Sequence, residues 1–143
     1  MLRALFLNRD LEYHGGVSNA LLNLARGQNR SRADFRFGSL MNPSGAMQSA
    51  FREVGIETKI FGDHGYLKPA LALRKYIKNE SIDVVIVSSF KCSLVAKAAT
   101  AGTRCRVVHY IHAVDLVLEG NFKRKLFAFL AKHDGILSVS RIV

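Results

Sequence analysis

Apolar and polar positions alternate along this chain in short blocks whose period switches repeatedly between two and about 3.6. Leu2, Ala4, Leu5, Phe6 and Leu7 form a first apolar run. The loop Asn8 to His14 and a Gly15-Gly16 couplet follow. Val17, Ala20, Leu21, Leu24 and Ala25 then recur at helical spacing, which predicts a helix opening at or just after the couplet. Phe35 to Leu40 alternates as a second strand, and Asn42-Pro43-Ser44-Gly45 marks a loop. Ser44 is placed to cap a helix bearing Met47, Phe51 and Val54, with Gly55 as its stop. Glu57 to Phe61 predicts a short third strand, and Gly62 to Gly65 a break. Pro69 then suits the first turn of a helix whose apolar residues are Leu71, Leu73, Tyr76 and Ile77.

Asp83 to Ser89 is the clearest buried strand, followed by a helix over Lys91 to Ala101 that stops at Gly102. Cys105 to Ile111 predicts a fifth strand, His112 to Gly120 an irregular loop, Phe122 to His133 a helix, and Gly135 to Val139 a sixth strand. Strands separated by helices require crossover connections. The expected fold class is therefore α/β: a three-layer, Rossmann-like domain with a mostly parallel sheet of about six strands and helices on both faces. Ligands of such sheets lie beyond the carboxyl ends of the strands. That points to Asn8 to Gly16, Ser88 to Lys91, His112 to Asp115 and Ser138 to Arg141.

A chain of 143 residues, 49% hydrophobic, is about one domain with one sizeable core, and no repeat or low-complexity tract divides it. No apolar run is long enough to span a bilayer, and the N-terminus reads as a strand rather than a signal peptide. Cys92 and Cys105 have neither metal-ligand nor redox spacing and are expected to be buried, reduced thiols; no metal is expected. Asn29-Arg30-Ser31 and Asn79-Glu80-Ser81 match the N-glycosylation pattern by chance if no secretory signal exists. The net charge of +10 changes the picture more. Residues 66–79 and 91–114 each hold four cations and no acid, a field that attracts phosphates, nucleic acid or anionic lipid.

Candidate chemistry follows from position. Two glycines opening a helix either serve turn geometry or leave room for an anion at free N–H groups. Neither a dinucleotide fingerprint nor a Walker loop is present, since Gly15-Gly16-Val17-Ser18-Asn19 lacks the later glycine and no Gly-Lys-Ser/Thr follows. His109 and His112 face opposite sides of a strand and cannot share an ion; His109 reads as a strand residue with a satisfied ring, His112 as a strand-end residue. Asp10 with Glu12, and Asp115 with Glu119, read first as solvated loop acids. A receiver-like domain would need acids clustered at the strand ends, whereas the fourth strand ends in serines. The helix over 122–133 is either an ordinary sheet-covering helix or a surface that leans on an anionic membrane.

The ordered set Gly15-Gly16-Val17 before Asn19 to Ala25, Gly55-Ile56-Glu57-Thr58, Asp83 to Ser88, Arg106 to Ala113 and Asp134 to Ser140 resembles the N-terminal, acceptor-side domain of family-4 glycosyltransferases. These are retaining enzymes of the GT-B fold that use nucleotide-activated sugars. The resemblance spans nearly the whole chain. It implies that Gly15 and Gly16 lie against the donor diphosphate, that His112 bonds a hydroxyl of the transferred sugar as the catalytic residue, and that Lys91 and Asp115 face the acceptor. No cofactor is implied beyond the nucleotide-sugar, which is substrate. The implied acceptor is a glycan or lipid-linked glycan of polysaccharide or glycolipid synthesis, and the implied setting is the cytoplasm, peripheral to the inner face of the membrane. The family's second Rossmann-like domain is not in this sequence, so residues 1–143 are expected to form a single domain, a fragment or short product inactive alone. The alternative is a non-catalytic basic module for nucleic acid or anionic lipid; no specific nucleic acid is expected under the first reading.

Overall fold

The computed structural model describes residues 1–12, 16–111, 122, 125, 126, 128, 129, 132 and 134–138. Ten elements follow in chain order: β1 (Leu2–Asn8), α1 (Gly16–Gly27), β2 (Ala33–Ser39), α2 (Gly45–Glu53), β3 (Lys59–Ile60), α3 (Leu67–Glu80), β4 (Val84–Val87), α4 (Phe90–Thr100), β5 (Arg106–Ile111) and β6 (Gly135–Ser138). The strands form one sheet in the order β3-β2-β1-β4-β5-β6, and each pairing is parallel. The order reverses between β1 and β4, so the crevice of a doubly wound sheet opens there. The expected α/β, Rossmann-like architecture of about six strands is the one observed.

Strand residues alternate between two cores. Leu5, Leu7, Val85, Val87 and Val107 point to the face covered by α3 and α4, where they meet Leu73, Ile77, Cys92, Val95 and Ala96. Phe37 points the other way, onto Leu21, Leu22, Met47 and Phe51 of α1 and α2, with Phe6 and Phe35 packed at the margin. Phe6 and Phe37 stack at 5.5 Å, and Phe37 tilts against Phe51 at 5.1 Å. Fully burying one such ring stabilises the fold by roughly 2–3 kcal/mol. These stacks therefore fix how α2 sits on β2.

Several expectations shift in detail. The buried stripe of α1 is Ser18, Leu21, Leu22 and Ala25, with Ala20 left exposed. An i, i+3, i+4, i+7 face passes through Leu22, which the earlier spacing skipped. In α3 the buried stripe is Pro69, Ala70, Leu73 and Ile77. Leu71 lies outside it, because a residue two positions before Leu73 falls about 200° around the helix. β3 is two residues long with both side chains exposed, whereas a strand over Glu57 to Phe61 was expected. The Ser44 cap holds, with Oγ accepting from the Met47 N–H at 3.3 Å. Gly55 follows α2 with φ +73°, as its stop role requires. Both cysteines are free, but Cys105 is half-buried rather than buried.

Candidate functional site

The carboxyl ends of β1 and β4 are joined directly: Ser88 Oγ donates to Asn8 Oδ1 across the switch point. The chain after β1 is pinned to the one after β2 by backbone bonds. Leu40 N donates to Asn8 O at 3.0 Å, Met41 N to Arg9 O at 2.8 Å, and Ser44 N to Leu11 O at 3.2 Å. Leu11 is fully buried among the α1 and α2 residues, which anchors the loop from below. Ser89, one residue beyond Ser88, accepts the Cys92 N–H at 3.3 Å and so starts α4.

Between these anchored segments lies a cavity of about 280 Å³, lined by Asn8, Arg9, Asp10, Glu12, Gly16, Val17, Ser18, Ser88 and Ser89. Gly16 opens α1 at its rim, and no acid stands in the first turn of that helix. Its φ is not among the positive ones, and among the described residues nothing lies within 4 Å of where a Cβ would stand. Neither a left-handed backbone nor crowding by those residues therefore demands glycine at this position. What its small size preserves is open space at the positive end of the α1 dipole. Asp10 and Glu12, both exposed, line the same cavity, with Arg9 between them and the strand in sequence. A ligand carrying both an anionic group and hydroxyls suits that mixture of N–H donors and carboxylate acceptors.

Lys91 is half-buried in the first turn of α4, and its ammonium is already engaged. Nζ donates to Asp63 Oδ1 at 2.6 Å and to Asp63 O at 2.7 Å, and lies 5.6 Å from the centre of the Tyr66 ring. The hydrogen bond from Lys91 holds the Asp63 carboxyl below its ordinary value. The pair ties the segment after β3 to the start of α4. Asp63 and Tyr66 were not singled out in the sequence; the legible signal was an acid in the glycine-flanked break after β3. His112, Asp115 and Gly15 lie outside the described residues, as does half of the helix expected over 122–133.

A Ser-His-Asp set that spacing could not reveal also forms. His109 Nδ1 is 3.1 Å from Ser93 Oγ, and its Nε2 is 2.8 Å from Asp134 Oδ2; Lys97 Nζ donates to Asp134 Oδ1 at 2.9 Å. Ser93 Oγ in turn donates to Ser89 O at 3.0 Å. With Ser93 2% and His109 1% exposed, no substrate reaches them, and the set braces β5 and β6 against α4. The satisfied ring expected for His109 is present. Among the described residues, no group of three His, Cys, Asp or Glu side chains gathers as a metal would require, and no helix is long and apolar enough to cross a membrane.

The family model described as Glycosyltransferase Family 4 matches residues 14–143, nine-tenths of the sequence. The chain belongs to this family. Two solved structures share the family-4 chain's fold. HepE of Anabaena, solved in complex with UDP and glucose, has a TM-score of 0.70 at 19% identity over 96% of this chain. CalG4, the calicheamicin glycosyltransferase, has a TM-score of 0.52 at 10% identity over 92% of it. At such identities they establish the fold alone, a Rossmann-like domain of the GT-B kind. The chain spans 37% of the length of HepE and 43% of CalG4. No match is found among curated protein sequences.

Proposed function

We propose that this family-4 domain forms the acceptor-side half of a sugar-transfer site, with a nucleotide-sugar as donor and a glycan or lipid-linked glycan as acceptor. The carrying observation is the open space at Gly16, at the dipole end of α1 and beside the β1/β4 switch point. A donor diphosphate has the charge for that position, and oriented N–H groups stabilise the negative charge that develops on the leaving phosphate. In this reading Gly15 and Gly16 approach the diphosphate, and His112, next after β5, bonds a hydroxyl of the transferred sugar. Asp115 belongs to the acceptor side. Lys91 acts there through its hold on Asp63 and Tyr66 rather than as a free cation. A second Rossmann-like domain, on a longer form of the chain or on a partner, holds the rest of the donor, so residues 1–143 alone do not turn over. The setting is cytoplasmic, at the inner face of the membrane.

The test joins the domain to a second GT-B domain from its own reading frame or partner and assays transfer from a panel of radiolabelled nucleotide-sugars. Gly16→Val is expected to leave the unfolding midpoint unchanged, since its side chain has room, while lowering transfer at least about tenfold. His112→Ala should lower turnover far more than stability. Transfer unaffected by both substitutions sinks the reading.

A further inference from the structure

The outward face of α3 is apolar and basic at once. Leu67 is 72% and Leu71 59% exposed, and Tyr66 just before the helix is 52% exposed. One turn separates the two leucines on the helix surface. Lys68, Lys75 and Lys78 flank them on the same side, each exposed, as helical spacing requires. From His64 to Asn79 there is no acid. The carboxylates at either end are spent elsewhere: Asp63 on Lys91, Glu80 on Arg36. Arg74 points away from this face, its guanidinium donating to Ala99 O and Ala101 O at the end of α4.

A solvated helix edge accounts for lysines but not for two largely exposed leucines and a tyrosine beside them. We propose that this face of α3 docks on an anionic lipid bilayer. The leucines and Tyr66 enter the headgroup boundary, and the three lysines meet the negative surface. Charge complementarity decides for an anionic surface over a neutral one, since among the described residues no carboxylate pairs with the three cations of this face. The helix begins at the carboxyl end of the sheet, where Asp63 follows β3 and Lys91 follows β4. A bilayer held there brings a lipid-borne acceptor to the strand ends, a consequence that rests on the sugar-transfer reading.

Flotation with vesicles tests the docking without any donor or acceptor, so its failure leaves the sugar-transfer reading intact. The chain should bind vesicles of mixed phosphatidylglycerol and phosphatidylcholine, and bind pure phosphatidylcholine at least about tenfold less. Two variants remove different parts of the face: Leu67→Ser with Leu71→Ser, and Lys68→Gln with Lys75→Gln and Lys78→Gln. Each should reduce binding to the anionic vesicles at least about tenfold with an unchanged unfolding midpoint, because the replaced side chains are exposed. Equal binding to both vesicle types overturns the proposal. So does loss of binding through Phe122→Ser with Phe129→Ser while the α3 variants bind normally. Lowered affinity of the α3 variants for a single-stranded RNA oligomer, with vesicle binding unmoved, overturns it as well.

Discussion

Replacing Gly38 by alanine tests how the sheet edge supports the site. Gly38 lies in β2 opposite Lys59 of β3. A Cβ there comes within 2.7 Å of Phe61 Cε2 and 3.0 Å of the Lys59 carbonyl oxygen. Carbon atoms pack at about 3.5–4.0 Å, so the ring must retreat by roughly 1 Å. Phe61 has little room, being 7% exposed and edge-on to Tyr76 at 5.5 Å. Overpacking of this kind costs about 1–3 kcal/mol. The lower entropy of the unfolded alanine chain offsets about 0.4–1 kcal/mol of that. The net expectation is a loss of about 1–2 kcal/mol, or near 5 °C in Tm at about 3 °C per kcal/mol for a domain of this size. Urea unfolding followed by circular dichroism measures it. Phe61→Leu, which removes the offending ring, costs about 1–2 kcal/mol by itself. If the ring is what clashes, the double variant is no less stable than Phe61→Leu alone, giving a coupling of about 1–2 kcal/mol. Gly38→Ala as stable as the parent, or costs that simply add, would refute the reasoning.

Ser81 ends α3 with φ 52°, the left-handed conformation that favours glycine, so Ser81→Gly should raise stability by about 1 kcal/mol in the same urea assay; no gain would mean the cap is unstrained. The Asp63 carboxyl, lowered by Lys91, should titrate below 3.8 by carbon NMR and return toward that value in Lys91→Met. A depressed carboxylate adds stability above its unfolded value, and that contribution disappears as pH falls through the folded midpoint, so the link between β3 and α4 should weaken only below about pH 4. Matching midpoints in the two proteins would exclude the pair. Burial pushes the Cys92 thiol up to about 12 and Cys105 up to about 11. At pH 8 the native chain should therefore react slowly with a disulfide reagent at both positions and rapidly once unfolded; fast native labelling would contradict this.

The fold was legible because strand and helix periods alternate without conflict, and because Ser44, Gly55 and Pro69 stand where caps, stops and first turns need them. Helix faces were less legible. Leu71 and Leu73 are equally apolar, and only packing against the sheet decides that one is buried and the other exposed. Strand-end position pointed to Asn8, Gly16 and Ser88, and the fold brings these residues together at the switch point. The partnership of Lys91 with Asp63 was not legible, since it depends on where the segment after β3 comes to rest. Ser93, His109 and Asp134 meet for the same reason: residues far apart in sequence become neighbours only once β5 and β6 are paired. Gly16 shows the limit from the other side. The sequence leaves turn geometry and a kept space both open there, and the fold gives Gly16 no positive φ and open space among the described residues.

The Ser88–Asn8 bond has a consequence for the order in which the molecule is made. Its partners are 80 positions apart, with β2, β3, β4 and three helices between them. A ribosome therefore releases β1, β2 and the α1 and α2 helices packed on them well before β4 exists to close the crevice. Loop-closure entropy is met late, when Val84 to Val87 slot in beside Ala4 to Leu7. Until then β1 carries an open, apolar edge at the centre of the future sheet, which neighbouring nascent chains can pair with. The ligand crevice is thus a product of the second half of synthesis. The conditions that favour its assembly are those that keep that interior edge waiting alone.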